Sequence, residues 1–170
     1  MQFSFKRFLP HLIATLLFVI LAGIYASPAL KGKVIQQHDI QMGQAAAHEA
    51  SEFKKATGEH TWWTNSMFGG MPTYMISADY PDSVSTKIGQ FFYRIMPSPI
   101  NMMFVMMLGM YVFLVVLGVN PWLAILGALG YSFATFNMVI IPAGHNSKVL
   151  ALAYAPLLMA FHRLLSMPRC

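Results

Sequence analysis

Apolar residues fall along this chain in long blocks, separated by one extended polar stretch. The first block covers Leu9–Ser27 and is interrupted only near its start, by Pro10, His11 and Thr15. The second covers Ile100–Val119, with Asn101 its one strongly polar residue. After the Asn120–Pro121 turn the third covers Trp122–Pro142, and Val149–Leu165 forms the fourth. A helix rises about 1.5 Å per residue, so runs of roughly 20 residues match a hydrocarbon layer of about 30 Å. The fourth block reaches that length with His162 and Arg163 extending to the interface. Inside lipid every backbone N–H and C=O must pair within its own segment, so each block is predicted to be a helix. The expected fold class is all-α integral membrane: one membrane domain of about four transmembrane helices with a long outer loop.

That loop, residues 28–99, contains no spanning run. Gln41–Thr57 is rich in Ala, Glu and Lys and is predicted to be a helix ended by Gly58. Thr64–Tyr74 carries Asn65, Gly69, Gly70 and Pro72 and reads as turns. Ser83–Ile95 reads as a short amphipathic helix with Ile88, Phe91, Phe92 and Ile95 on one side, suited to the plane of a membrane interface.

Composition supports the bilayer. Hydrophobic residues make up 56% of the chain and charged residues 10%, against about 25% charged in soluble domains. A soluble fold so poor in charge would expose large apolar patches. The net charge of +5 does not form a nucleic-acid patch, because the basic residues sit beside apolar blocks or in a loop of balanced charge. That loop holds all the acids: Asp39, Glu49, Glu52, Glu59, Asp79 and Asp82. Lys6 and Arg7 precede the first block, and Arg163 and Arg169 end the chain. The positive-inside rule then places both ends in the cytoplasm and the loop outside. The first block is longer than a signal-peptide core and Pro28 follows it, so it reads as an uncleaved helix. The lone Cys170 makes no internal disulfide.

Three polar stretches carry candidate chemistry. Asp39, next to His38 in Gln36–Asp39, is a carboxylate close to the membrane surface. It suits a general base toward a hydroxyl, although the pattern alone favours a solvated aspartate that caps the helix that follows. Gly144–Lys148 concentrates His145, Asn146 and Lys148 at a helix start. Such a group binds an anion such as a lipid phosphate, or its lysine snorkels to headgroups. Trp62, Trp63 and Asn65 lead into Gly69–Gly70. Paired indoles stack on a sugar ring or anchor in the interface. The methionines Met102, Met103, Met106, Met107 and Met110 read as packing or lipid-facing residues. Ala124, Gly127, Ala128 and Gly130 read as a close helix contact, and His11 and His162 as interfacial. No metal-ligand spacing is present among the histidines.

Several strings resemble the start of YfhO-type bacterial membrane proteins. They include Leu9-Pro10-His11-Leu12, Gly32–Ile40, Trp63–Tyr74, Val119–Ala124 and Ala143–Lys148. The most specific are Asn65-Ser66-Met67-Phe68-Gly69-Gly70-Met71-Pro72 and Ala143-Gly144-His145-Asn146-Ser147-Lys148. The resemblance implies the N-terminal portion of a longer polytopic glycosyltransferase similar to the GT-C superfamily, inactive as this fragment alone. It implies a bacterial inner-membrane location with a cytoplasmic N-terminus. The donor would be a sugar on a polyprenyl-phosphate carrier, the acceptor a cell-envelope glycan, and no cofactor is called for. By matching position, Asp39 would be the catalytic base. His38, Trp62, Trp63, Asn65, His145, Asn146 and Lys148 would bind substrate. The rival is a non-catalytic membrane protein, a transporter component or assembly partner. The absence of charge at the span centres speaks against transport.

Overall fold

The computed structural model describes residues 5–76 and 84–166, and of residues 5–7, 85, 86, 89, 92 and 93 the backbone alone. The described chain is mostly helical. The elements are α1 (Phe5–Tyr25), α2 (Ser27–Leu30), α3 (His38–Ala46), α4 (His48–Thr57), β1 (Trp63–Thr64), β2 (Met71–Pro72), a 3-10 turn (Thr73–Met75), α5 (Val84–Ile95), α6 (Ile100–Val116), α7 (Pro121–Ser132), α8 (Thr135–Ala143) and α9 (Asn146–Ser166).

The centre of the bundle is α6, packed by α1, α7 and α9. It is apolar around its whole circumference, which is the pattern of a helix enclosed on all sides. Met102, Met103, Met106 and Met107 are fully buried in it, so these methionines pack; their flexible thioethers fill the irregular gaps between helices. The contact with α9 is tight because Gly109 has no side chain. A Cβ there would stand 2.6 Å from the Ala153 carbonyl oxygen. Ala124 and Ala128 are likewise fully buried, and a Cβ on Gly127 would meet Leu114 at 2.5 Å. Gly130 departs from that expectation, since nothing lies within 4 Å of its added Cβ.

The outer helices have the reverse character. In the apolar windows of α1 and α9 only 17% and 22% of residues are buried, and Leu16, Ile20 and Ile24 of α1 are exposed. Such faces suit an apolar surrounding medium. Among the described residues two helices, α1 and α9, are long and apolar enough to cross a membrane, and the α7–α8 pair makes a third if it is one span.

Two of the four expected spans therefore differ. The second run yields α6, a helix of 17 residues, at the lower edge of spanning length. Its last expected residues form the turn into Asn120. The third run breaks between Ser132 and Thr135 and bends by 47°. Ala134 there is extended, with φ −56° and ψ 137°. A break within an apolar region frees backbone groups that need partners. Buried Asn137 supplies one, its amide donating to the Tyr131 carbonyl at 2.7 Å. His11 is also not simply interfacial: its Nδ1 is 2.7 Å from the hydroxyl of buried Tyr111.

In the loop, the helix expected over 41–57 starts earlier, at His38, and is split at Ala47, for which the surrounding side chains offer no reason. Gly58 ends α4 as expected, in the left-handed conformation at φ 78°. The expected turn segment is a small antiparallel hairpin pairing Trp63 with Pro72 and Thr64 with Met71. In α5 the residues Val84, Ile88, Phe91 and Ile95 are exposed at the spacing of one helical face. Ser83, Asp79, Asp82, Arg169, Cys170 and the side chains of Lys6, Arg7 and Phe92 lie outside the described residues.

Candidate functional site

The candidate site forms where the start of α3 meets the turn between α8 and α9. The chain leaves α2 and runs extended to Gln37, the N-cap of α3. Gln37 bridges two elements. Its Nε2 donates to the Ile141 carbonyl at 2.6 Å and to Asn146 Oδ1 at 2.8 Å. In return Asn146 Nδ2 donates to Gln37 Oε1 at 3.1 Å. The first of these bonds adds a second donor to a carbonyl of the last turn of α8, which also accepts from the Gly144 N–H. The other two lock α3 to the first residue of α9.

Close approach is possible because Gly144 lies between α8 and α9. Its φ of 104° suits glycine, and a Cβ there would press on Ile40 N at 3.1 Å and Gln37 Cβ at 3.2 Å. The reciprocal amide pair and the glycine set the position of the next two side chains. Asp39, in the first turn of α3, brings Oδ2 to 3.1 Å from His145 Nδ1, and each side chain remains about half exposed. The carboxylate sits at the positive end of the α3 dipole. The two residues therefore form an open, water-accessible acid–histidine pair at the loop end of an apolar bundle.

His38 lies exposed on the same first turn. Lys148, one turn further along α9, has its ammonium 5.0 Å from the centre of the Phe136 ring. In that position a cation–π contact occupies it.

Trp62, Trp63 and Asn65 belong to the hairpin, and the hairpin is organised by a residue that sequence reasoning passed over. Glu49 of α4 accepts hydrogen bonds from the Thr64 hydroxyl at 2.6 Å, the Asn65 N–H at 2.8 Å and the Ser66 hydroxyl at 2.9 Å. These donors, the Thr64 hydroxyl foremost, hold the Glu49 carboxyl below its ordinary pKa. Thr73 closes the hairpin base, its hydroxyl donating to the Thr61 carbonyl at 2.6 Å. The Trp63 indole lies against Gly70, where a Cβ would meet it at 2.7 Å. Trp62 is the more exposed of the two indoles, at 75%. Phe68 at the tip is exposed and carries a positive φ of 55°.

Sequence signals for the two missed residues were faint. Gln37 is one of two adjacent glutamines in Gln36–Asp39, and Glu49 is one of several charged residues in the helix expected over 41–57. Among the described residues no group of three or more His, Cys, Asp or Glu side chains comes together as a metal site. Compared with protein-family models, curated proteins and solved structures, the chain matches none.

Proposed function

We propose that the chain is the N-terminal portion of a polytopic membrane glycosyltransferase of the GT-C kind, resembling YfhO-type proteins. In this reading four helices cross the bacterial inner membrane, α7 and α8 together making the third. The 28–99 loop lies on the outer face. The enzyme takes a sugar from a polyprenyl-phosphate carrier and attaches it to a cell-envelope glycan.

The observation that carries the reading is the 3.1 Å approach of Asp39 Oδ2 to His145 Nδ1 at one end of an apolar bundle. A carboxylate held by one oxygen keeps the other to accept a proton. The acceptor hydroxyl gives its proton to Asp39 as its oxygen bonds to the anomeric carbon. The bond from that carbon to the carrier phosphate breaks, and the phosphate leaves with the electron pair. His145 holds the Asp39 carboxylate through Nδ1 and stands beside the departing phosphate. Lys148 joins it by leaving the Phe136 ring. Asn146 fixes the geometry through Gln37. The hairpin held by Glu49 presents Trp62, Trp63 and Asn65 to the sugar, and His38 flanks the acceptor.

The test is sugar transfer by the full-length protein in proteoliposomes with polyprenyl-phosphate sugars. Asp39→Asn is expected to abolish transfer while membrane insertion and the α-helical content stay as in the wild type. Transfer retained by Asp39→Asn removes Asp39 from the mechanism.

A further inference from the structure

A cavity of about 280 Å3 opens beside the site, between the end of α1, the short α2, the start of α6 and α8. Ala26, Ala29, Met103, Met138 and Ile141 line it, all apolar. Met103 is fully buried and marks its closed end, whereas Val34 at its mouth is 91% exposed. Lys33, also at the mouth, is the one charged residue among the described lining residues. Neither Asp39, His145 nor Lys148 lines the cavity. Ile141 stands between the two: it lines the cavity, while its carbonyl accepts from Gln37.

We propose that this cavity holds one acyl chain of an anionic glycerophospholipid whose phosphate pairs with Lys33. Three features lead there. Apart from the Tyr25 hydroxyl and the Lys33 ammonium the lining side chains are apolar, so the part that enters is hydrocarbon. The volume lies just below the range of ligand pockets, roughly 300–1,000 Å3, so it suits a segment of one chain. The mouth opens where the exposed apolar face of α1 gives way to Lys31 and Lys33, the depth at which a chain meets its headgroup. A lysine at that depth favours an anionic headgroup over a zwitterionic one. The bound lipid braces Ile141 from below and so supports the carbonyl on which Gln37 rests. The site needs only that the chain lie in a bilayer, so it stands or falls apart from the transfer reaction.

Native mass spectrometry of the full-length protein, titrated with phosphatidylglycerol and with phosphatidylcholine, tests it. The wild type is expected to retain one phosphatidylglycerol in preference to phosphatidylcholine by about fivefold. Lys33→Glu, at an exposed position, is expected to lose that preference. Ala29→Leu, which fills the cavity, is expected to lose both lipids; should it fail to fold, Val34→Asp at the exposed mouth is expected to weaken phosphatidylglycerol selectively. Equal retention of the two lipids by the wild type overturns the proposal, as does a preference that survives Lys33→Glu. One-for-one displacement of phosphatidylglycerol by a lower concentration of polyprenyl phosphate also overturns it, by assigning the cavity to the carrier.

Discussion

Gly144→Ala acts on the site through two separable terms. At φ 104° an alanine adopts a strained backbone, a cost of about 1–2 kcal/mol borne by the α8–α9 turn whether or not α3 is docked. The new methyl also presses on Ile40 N at 3.1 Å and Gln37 Cβ at 3.2 Å, and this part is relieved when α3 lifts away. Overpacking of this kind costs about 1–3 kcal/mol. Docking of α3 rests on three hydrogen bonds of Gln37 and Asn146, together worth about 1.5–4.5 kcal/mol. A steric cost near ~1.4 kcal/mol shifts the docked-to-released ratio tenfold. Hydrogen exchange of the protein in nanodiscs reads this directly: amides of residues 38–46 are expected to exchange about tenfold faster. Gly118→Ala is the control, with φ 86° and no atom within 4 Å of the added Cβ. It carries strain without the contact and is expected to leave residues 38–46 unchanged. Equal exchange of that segment in Gly144→Ala, Gly118→Ala and wild type would refute the packing of α3 on the α8–α9 turn.

The remaining predictions concern the bundle and the hairpin. Gly109→Ala forces a methyl to 2.6 Å from the Ala153 carbonyl oxygen; overpacking less the helix-propensity gain leaves a net loss of up to about 2 kcal/mol in detergent unfolding titrations. Gly130→Ala meets nothing within 4 Å and is expected to gain up to about 1 kcal/mol in the same titration. The Glu49 carboxyl is held below its ordinary pKa when folded. Its contribution is therefore present above the unfolded pKa and lost as pH falls through the lower folded value. Fluorescence of Trp62 and Trp63 is expected to report loosening of the hairpin in that acidic window, and Glu49→Gln is expected to remove that pH dependence.

Where the sequence and the structure agree, the cause is a continuous local signal. Leu9–Ser27 and Val149–Leu165 are long apolar runs with polar residues only towards one end, and α1 and α9 cover nearly the same residues. Gly58 stops α4 for a reason written in one residue, its tolerance of positive φ. The bend between α7 and α8 has no breaker to announce it at Phe133 or Ala134; the Asn137 amide spans it by donating to the Tyr131 carbonyl. The site follows the same division. Composition marked the stretches around Asp39 and His145 separately as polar groups at the ends of apolar runs. Their meeting depends on Gln37 pairing with Asn146, 109 positions apart, and nothing in either local sequence encodes that distance. Glu49 was illegible for a similar reason, since its three donors come from 15 to 17 residues downstream. Lys148 shows a further gap: nothing in Gly144–Lys148 encodes the Phe136 ring that lies 5.0 Å from its ammonium.

Everything proposed for the site requires the 36–39 and 144–148 stretches to share one face of the bilayer. Single-cysteine variants of the full-length protein, Asp39→Cys and Lys148→Cys on a background without other cysteines, report this with a membrane-impermeant thiol reagent applied to intact cells. Both positions are expected to be labelled from outside without permeabilisation. Labelling of one from outside and the other only after permeabilisation would contradict the account.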